Sequence, residues 1–154
     1  MAAMVQVFIS YETIGGLGLA YGVFGGFIDH GIHGWVWHLH RQPGADTFIE
    51  MADALFRSDS VVFICTEGTA ASDGQTREIG QAESSRKPIY VLATDPKYIH
   101  PALRHKNYTT ITLSSVADIC ARLGPFIKKP ATVPPPSAEN KPIHGLSEFT
   151  EGDQ

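Results

Sequence analysis

The chain has 154 residues, a formal net charge of -4 and a pI of about 5.9. This length suits one domain with a core of its own. The acidic balance argues against a dedicated nucleic-acid-binding protein, because the longest cationic run is Lys128-Lys129. The two cysteines, Cys65 and Cys120, lie in apolar patterns and are expected to be reduced core residues of a cytoplasmic protein. The first residues lack the basic segment of a signal peptide, so none is expected.

The first half of the chain alternates between strand-like and helix-like patterns. The predicted elements are a strand over 5–11, a helix over 16–30, a second strand over 35–39 and a helix that Asp46 or Thr47 caps and that runs to Arg57. The apolar run 14–28 is 15 residues long. A membrane-spanning helix needs roughly 20 residues, so no membrane segment is expected.

The second half continues the alternation. The predicted elements are a buried strand over 61–66, a helix that carries Glu78 and ends before Lys87-Pro88, a strand over 89–93, a strand over 108–113 and a helix over 116–128. The segment 95–106 is expected to be irregular, with a helical turn after Pro101. Five strands separated by helical connections predict a doubly wound parallel sheet of the α/β class.

Composition divides the chain into two parts. Residues 1–129 are predicted to form the domain, and residues 130–154 a tail that holds five of the ten prolines and few large apolar residues. Docking of this tail on a neighbouring surface through Ile143, Leu146 and Phe149 is the alternative.

Glu78 is the most informative residue of the sequence. It lies on a predicted helix just after the apolar strand 61–66, and ligands of open α/β sheets bind at the carboxyl ends of parallel strands. A buried carboxylate without a cationic partner is costly and indicates function. A solvated glutamate near a helix N-terminus is the alternative, and spacing alone leaves both open.

Several short motifs, taken in order, resemble a known family. Val7-Phe8-Ile9-Ser10-Tyr11 is similar to the opening strand of TIR domains, Pro43-Gly44 to the loop after their second strand, and Ser58-Asp59 to the residues before their central strand. Glu78 then falls at the glutamate of NAD-cleaving TIR domains. The resemblance covers roughly residues 4–128 and implies a flavodoxin-like, doubly wound five-stranded parallel sheet. The sequence departs from the family pattern at Gly74, where a tryptophan is frequent, and at His38, where an aspartate is frequent.

The segment 73–82 also resembles the signature of nucleoside deoxyribosyltransferases, which use their glutamate as a nucleophile on a nucleoside C1′. Both families break an N-glycosidic bond at a ribose. A third possibility is a non-catalytic TIR module that assembles through its Pro43-Gly44 loop. Release of nicotinamide from NAD would favour the NAD-cleaving enzyme, and release of a base from deoxynucleosides would favour the deoxyribosyltransferase. Release of neither would favour the non-catalytic module.

One carboxylate suffices for the chemistry that the TIR resemblance implies. Loss of nicotinamide from NAD leaves an oxocarbenium-like ribosyl cation, which a nearby anion stabilises more than it stabilises the ground state. The leaving group departs neutral, so no general acid is needed, in contrast to O-glycosidases with their paired carboxylates. The product would be ADP-ribose or a cyclic isomer.

Further residues are predicted to contact the substrate. They are Ser10, Tyr11, His38, Arg41, Thr47, Asp73 and Gln75. Among them, His38 and Arg41 are candidates for a phosphate or a ribose, Tyr11 and also Trp37 for stacking on a base, and Asp73 for a ribose hydroxyl or, as the safer interpretation, for the helix cap.

The remaining carboxylates, histidines and glycines are not expected to take part in catalysis or metal binding. Glu12, Glu67 and Glu83 are expected to be surface residues. His38 and His40 would share one strand face, but no cysteine or carboxylate lies at metal-site spacing, so no metal is expected. The glycine-rich stretch 15–22 does not match the dinucleotide fingerprint, because Tyr21 stands at the third glycine position. Its amides are a candidate phosphate contact, with close helix packing as the alternative.

The TIR resemblance also implies a setting. Small stand-alone TIR proteins of this kind resemble the NAD-processing component of Thoeris-like antiphage systems. By that resemblance the expected partners are NAD as substrate, other copies of the chain through TIR surfaces, and a separate effector that the product activates. No cofactor, nucleic acid or membrane partner is expected.

Overall fold

A computed structural model describes residues 4–129. The predicted tail, 130–154, lies outside these residues. The strands are β1 (Val5–Ser10), β2 (Ile32–Trp35), β3 (Ser60–Cys65), β4 (Ile89–Ala93) and β5 (Tyr108–Thr110). The helices are α1 (Thr13–Ile28), α2 (Trp37–His40), α3 (Thr47–Arg57), α4 (Asp73–Ser84) and α5 (Val116–Lys128). Short 3₁₀ turns join several of these elements.

The five strands form one parallel sheet in the order β2-β1-β3-β4-β5. The helices α1 and α5 pack on one face of this sheet, and α3 and α4 pack on the other. Alternate residues of β3 enter the two cores, so that Val62 and Ile64 face α1 while Val61 and Phe63 face α3. The sheet confirms the predicted flavodoxin-like, doubly wound α/β fold, and β4 and α5 have the predicted bounds.

The second strand was predicted in the wrong place. β2 covers Ile32–Trp35, and the predicted strand segment instead forms the short helix α2. Glycine is unfavourable in strands, but Gly34 is needed here, since a Cβ atom at this position would lie 2.7 Å from Cδ1 of Ile9 on the neighbouring strand. His38 and His40 therefore do not share a strand face.

The last strand is shorter than predicted. β5 ends at Thr110, and residues up to Leu113 do not continue it. Thr112 and Ser115 form a reciprocal capping box that begins a 3₁₀ turn at Leu113, which satisfies backbone groups locally and competes with the strand ladder.

The glycine-rich segment forms the helix α1, which begins earlier than predicted because Glu12 caps it. Within residues 4–129 no helix is long and apolar enough to cross a membrane. A Cβ atom at Gly26 would lie 2.7 Å from Sγ of Cys120, and one at Gly22 would contact Val116. The glycines thus let α1 approach α5 closely, which favours the packing interpretation of this stretch. Cys65 and Cys120 are both free and buried, as predicted.

Gly25 and Gly26 are adjacent on α1 and form a matched pair for testing this packing. A Cβ atom at Gly25 meets nothing within 4 Å, so we expect Gly25→Ala to raise the free energy of unfolding by about 1 kcal/mol, the usual gain in helix propensity. Gly26→Ala should lower it by about 1–2 kcal/mol, because overpacking outweighs that gain. Urea denaturation measures both. A Gly26→Ala protein as stable as Gly25→Ala would contradict the close approach to α5.

Candidate active site

A cleft of about 370 Å³ lies at the carboxyl end of β1, between the first turns of α3 and α4. The next strand in the chain, β2, pairs with one edge of β1, and the strand after it, β3, pairs with the opposite edge of β1. Open α/β sheets bind ligands at such a switch in strand order. The cleft brings together six of the residues predicted to form the site: Ser10, Tyr11, His38, Thr47, Asp73 and Glu78. A cleft of similar volume, about 380 Å³, lies beside His30 and Lys128, but no described residue that lines it carries a carboxylate.

Glu78 forms the floor of the cleft. It lies on the second turn of α4, and its side chain is only 3% exposed. The Ser10 hydroxyl at the end of β1 donates a hydrogen bond of 2.6 Å to its Oε1 atom. Burial raises the pKa of Glu78 to about 7, although the Ser10 hydrogen bond and the positive charge of Arg77 act in the opposite direction. Within residues 4–129 its Oε2 atom has no hydrogen-bond partner, so this oxygen is free to meet a substrate in the cleft.

Tyr11 and His38 form a hydrogen-bonded pair in the wall of the cleft. The Tyr11 hydroxyl accepts a hydrogen bond of 3.1 Å from the His38 amide and lies 2.6 Å from Nδ1 of the same residue. When the neutral His38 ring carries its proton on Nε2, the Tyr11 hydroxyl donates to Nδ1. Burial raises the pKa of Tyr11 to about 12, and burial and the nearby Arg41 lower the pKa of His38. Both groups are therefore neutral near pH 7.

Asp73 and Thr47 lie at the starts of two helices that border the cleft. The α4 cap is Ser72, whose hydroxyl accepts a hydrogen bond from the Gln75 amide. The interpretation of Asp73 as the cap was therefore wrong, and its exposed carboxylate lines the cleft instead. Thr47 is the first residue of α3, which Asp46 caps.

Two of the predicted contact residues do not line the cleft. Gln75 is 1% exposed, and its Nε2 atom donates a hydrogen bond of 3.0 Å to the Ile64 carbonyl inside the core. The guanidinium carbon of Arg41 lies 4.7 Å from the centre of the Trp37 ring. Trp37 itself lines the cleft, so Arg41 contacts a cleft residue without lining the cleft.

Glu12 was expected at the surface and is buried instead, with 8% of its surface exposed. Its carboxylate accepts hydrogen bonds from the amides of Ile14 and Gly15 and from the Thr66 hydroxyl. It thereby joins the start of α1 to the end of β3. Within the glycine-rich stretch, the Gly15 amide is thus occupied by the Glu12 carboxylate and the Gly16 amide by the Glu12 carbonyl, so neither is free for the phosphate contact considered above. Glu67 and Glu83 are exposed, as predicted.

The residues that line the cleft and were not predicted there include Arg77, Phe48 and Glu12. The guanidinium carbon of Arg77 lies 4.1 Å from the centre of the Phe48 ring. Large aromatic side chains on an amphipathic helix are usually buried, but the Phe48 side chain is 59% exposed. The position of Arg77 next to Glu78 was the one available signal. The described part of the chain holds no group of three or more side chains arranged to bind a metal.

Comparisons with known proteins identify the fold. No family model and no curated protein matches the sequence. The TIR domain of a Toll-related receptor from Hydra magnipapillata is similar in structure, with a TM-score of 0.67, 18% identity, and coverage of 80% of this chain and 98% of that one. A prokaryotic SEFIR domain is also similar, with a TM-score of 0.67 and 13% identity. The match covers 86% of this chain and 98% of the SEFIR chain.

A third similar structure belongs to an enzyme. A 2-deoxyribosyltransferase from Bacillus psychrosaccharolyticus has a TM-score of 0.61 at 12% identity, over 74% of this chain and 91% of that one. The same sheet architecture therefore occurs in both groups that the sequence resembles. With five parallel strands in the order β2-β1-β3-β4-β5 and TIR and SEFIR domains as its structural neighbours, the chain has a TIR-like fold.

Proposed function

We propose that this protein cleaves the bond between nicotinamide and ribose in NAD, with Glu78 as the catalytic residue. The observation that carries the proposal is the buried Glu78 carboxylate, which one hydrogen bond from Ser10 fixes and whose second oxygen is free in the cleft. A fixed anion at the switch point of the sheet is the group that a developing ribosyl cation requires.

The proposed step breaks the C1′–N bond, and the bonding electrons leave with nicotinamide. Positive charge then moves from the pyridinium ring to the ribose, where Glu78 stabilises it. Water, or a nucleophile within the same molecule, adds to C1′ and loses a proton to solvent. The product is ADP-ribose in the first case and a cyclic isomer in the second, so the enzyme is an NAD glycohydrolase or an ADP-ribosyl cyclase.

The raised pKa of Glu78, about 7, is compatible with this role. A cationic pyridinium ribose bound next to the carboxylate favours its ionised form. Substrate binding therefore supplies part of the charge that keeps Glu78 anionic, and we propose that binding of NAD releases a proton at neutral pH.

A deoxyribosyltransferase or nucleoside N-glycosidase is the second candidate. The structural likeness to a 2-deoxyribosyltransferase favours it, as does the position of Asp73 in the same cleft as Glu78. In that reaction Glu78 would form a covalent bond to C1′ while the base departs. A non-catalytic TIR module that assembles through the Pro43-Gly44 loop is the third candidate.

We further propose the setting that the sequence resemblance implies. The protein would act in the cytoplasm as the NAD-processing component of an antiphage system, self-associate through its TIR-like surfaces, and activate a separate effector through its (cyclic) ADP-ribose product. NAD enters this scheme as a substrate, with no additional cofactor.

Incubation of the purified protein with NAD and, separately, with deoxynucleosides tests the proposal. We expect release of nicotinamide from NAD, with ADP-ribose or a cyclic isomer identified by mass spectrometry and chromatography. Release of a free base from deoxynucleosides without nicotinamide from NAD would favour the second candidate. Release of neither, at protein concentrations high enough for self-association, would favour the non-catalytic module.

A further inference from the structure

Arg77 lines the same cleft as Glu78 but faces a different wall of it. Consecutive residues of a helix point about 100° apart. From α4, Glu78 therefore reaches the end of β1, where it meets Ser10, while Arg77 reaches Phe48 on α3. One turn of α4 thus presents an anion to the floor of the cleft and a cation to its side.

Among residues 4–129 the guanidinium of Arg77 forms no ion pair with a carboxylate, although Asp73 is available at the usual helical spacing. Three Asp–Arg pairs with i, i+4 spacing occur on the described helices. Arg57 and Asp53 form an ion pair at 2.9 Å, and Arg122 and Asp118 form one at 3.5 Å. Arg77 and Asp73 form none, because the Arg77 side chain lies over the Phe48 ring instead.

Stacking on Phe48 holds the guanidinium in place and leaves its hydrogen-bond donors available. A guanidinium over an aromatic face keeps its N–H groups in the plane of the group, where they point past the ring. Arg77 makes no side-chain hydrogen bond to any other residue among 4–129. Phe48 is itself 59% exposed and lines the cleft, so its ring is unused by the core. The pair is a preformed donor site in the same cleft as Glu78.

We propose that Arg77, positioned by Phe48, binds a phosphate of the substrate and makes the cleft selective for nucleotides over nucleosides. This assignment rests on the proposed cleavage at Glu78, which places the ribose C1′ on the cleft floor. The 5′ phosphate is attached on the opposite side of the ribose ring from C1′, so with C1′ at Glu78 the position that we propose for the phosphate is the side of the cleft lined by Arg77. Guanidinium and phosphate form charge-assisted, frequently bidentate hydrogen bonds. Asp73 is exposed, so solvent screens its repulsion of the phosphate.

A comparison of NAD with nicotinamide riboside, which has the same scissile bond and no phosphate, tests the assignment. The assay is run at about pH 8.5, where Glu78 is ionised with or without the nearby charge of Arg77. We expect Arg77→Gln to raise KM for NAD by about tenfold or more, as for loss of a charged hydrogen bond, and to leave kcat/KM for nicotinamide riboside within about twofold. The KM of Arg77→Lys for NAD should lie between those of the wild type and Arg77→Gln, because lysine keeps the charge but loses the planar donors. Phe48→Leu should raise KM for NAD but not for nicotinamide riboside, because Phe48 acts by positioning Arg77. The increase should be smaller than that in Arg77→Gln.

The matched control is Arg57→Gln, which removes the same charge from an exposed arginine on α3 that is paired with Asp53. This change should leave KM and kcat/KM unchanged for both NAD and nicotinamide riboside. Equal losses on NAD and nicotinamide riboside in Arg77→Gln would overturn the assignment, since a phosphate contact is absent from the smaller substrate. An unchanged KM for NAD would overturn it as well.

Binding to the Glu78→Gln protein separates this assignment from the proposed reaction. By calorimetry, ADP should bind this protein more tightly than adenosine does, and a further Arg77→Gln change should remove the difference. If the wild-type protein releases no nicotinamide from either substrate but this difference is found, the reaction is wrong and the phosphate site stands. Equal binding of ADP and adenosine to the Glu78→Gln protein would overturn the phosphate site.

Discussion

Glu78→Gln will lower nicotinamide release from NAD by about a hundredfold or more, the usual cost of removing a group that stabilises transition-state charge. Glutamine has the same shape and still accepts the hydrogen bond that Ser10 donates, so the change removes the negative charge and little else. Chromatographic quantification of nicotinamide over time measures the loss at a saturating concentration of NAD.

Glu83→Gln is the matched control for this experiment, because Glu83 lies on the same helix with its side chain exposed. It should retain wild-type turnover. Unfolding curves recorded at about pH 5, where Glu78 is protonated, establish that Glu78→Gln folds normally. Near wild-type nicotinamide release from a folded Glu78→Gln protein would refute the mechanism.

The stability of the wild-type protein relative to Glu78→Gln should fall by about 3 kcal/mol as the pH rises from about 4.5 to about 7.5. The folded-state pKa of Glu78, about 7, lies above the ordinary value of 4.5 because the side chain is buried. Below the ordinary value both states bind the proton and its stabilising contribution is complete. As the pH rises through the folded-state pKa, the buried Glu78 carboxyl must also ionise in the folded protein. The stability contributed by its protonated form is then lost.

Urea denaturation of both proteins across this pH range measures the effect, and the difference between them cancels titrations elsewhere in the chain. Ser10→Ala provides a second check. The Ser10 hydrogen bond lowers the pKa of Glu78, so its removal should move the loss of stability to higher pH. A difference between wild type and Glu78→Gln that is independent of pH would show that Glu78 has an ordinary pKa.

The position of Glu78 was predictable because local signals carry it. The apolar run of β3 identifies a central strand, and the carboxyl ends of such strands are binding edges. The contact with Ser10 was not predictable in the same way, since it joins residues 68 positions apart and depends on the pairing of β1 with β3. Strand order, not local pattern, creates the hydrogen bond that fixes the carboxylate.

The errors at Gln75 and Glu12 also have a physical origin. Gln75 lies three residues before Glu78, on the same face of α4, and sequence spacing does not distinguish a side chain in the cleft from one beneath it. Gln75 reaches the Ile64 carbonyl of β3 and is buried by that contact. Glu12 is buried because Thr66, 54 residues away, donates to it. In both cases a partner remote in sequence decides the exposure.

Helix α1 has a consequence for the order of folding. Six of its 16 residues are glycine, and each costs about 1 kcal/mol of helix stability relative to alanine. Such a segment does not remain helical alone, so α1 forms only once the sheet and α5 provide a surface for it. The turn that carries Tyr11 and Glu12 leads directly into this helix. We therefore expect this wall of the cleft to be completed late in folding, and a local opening of α1 in the native protein to release it before the floor at Glu78 is disturbed.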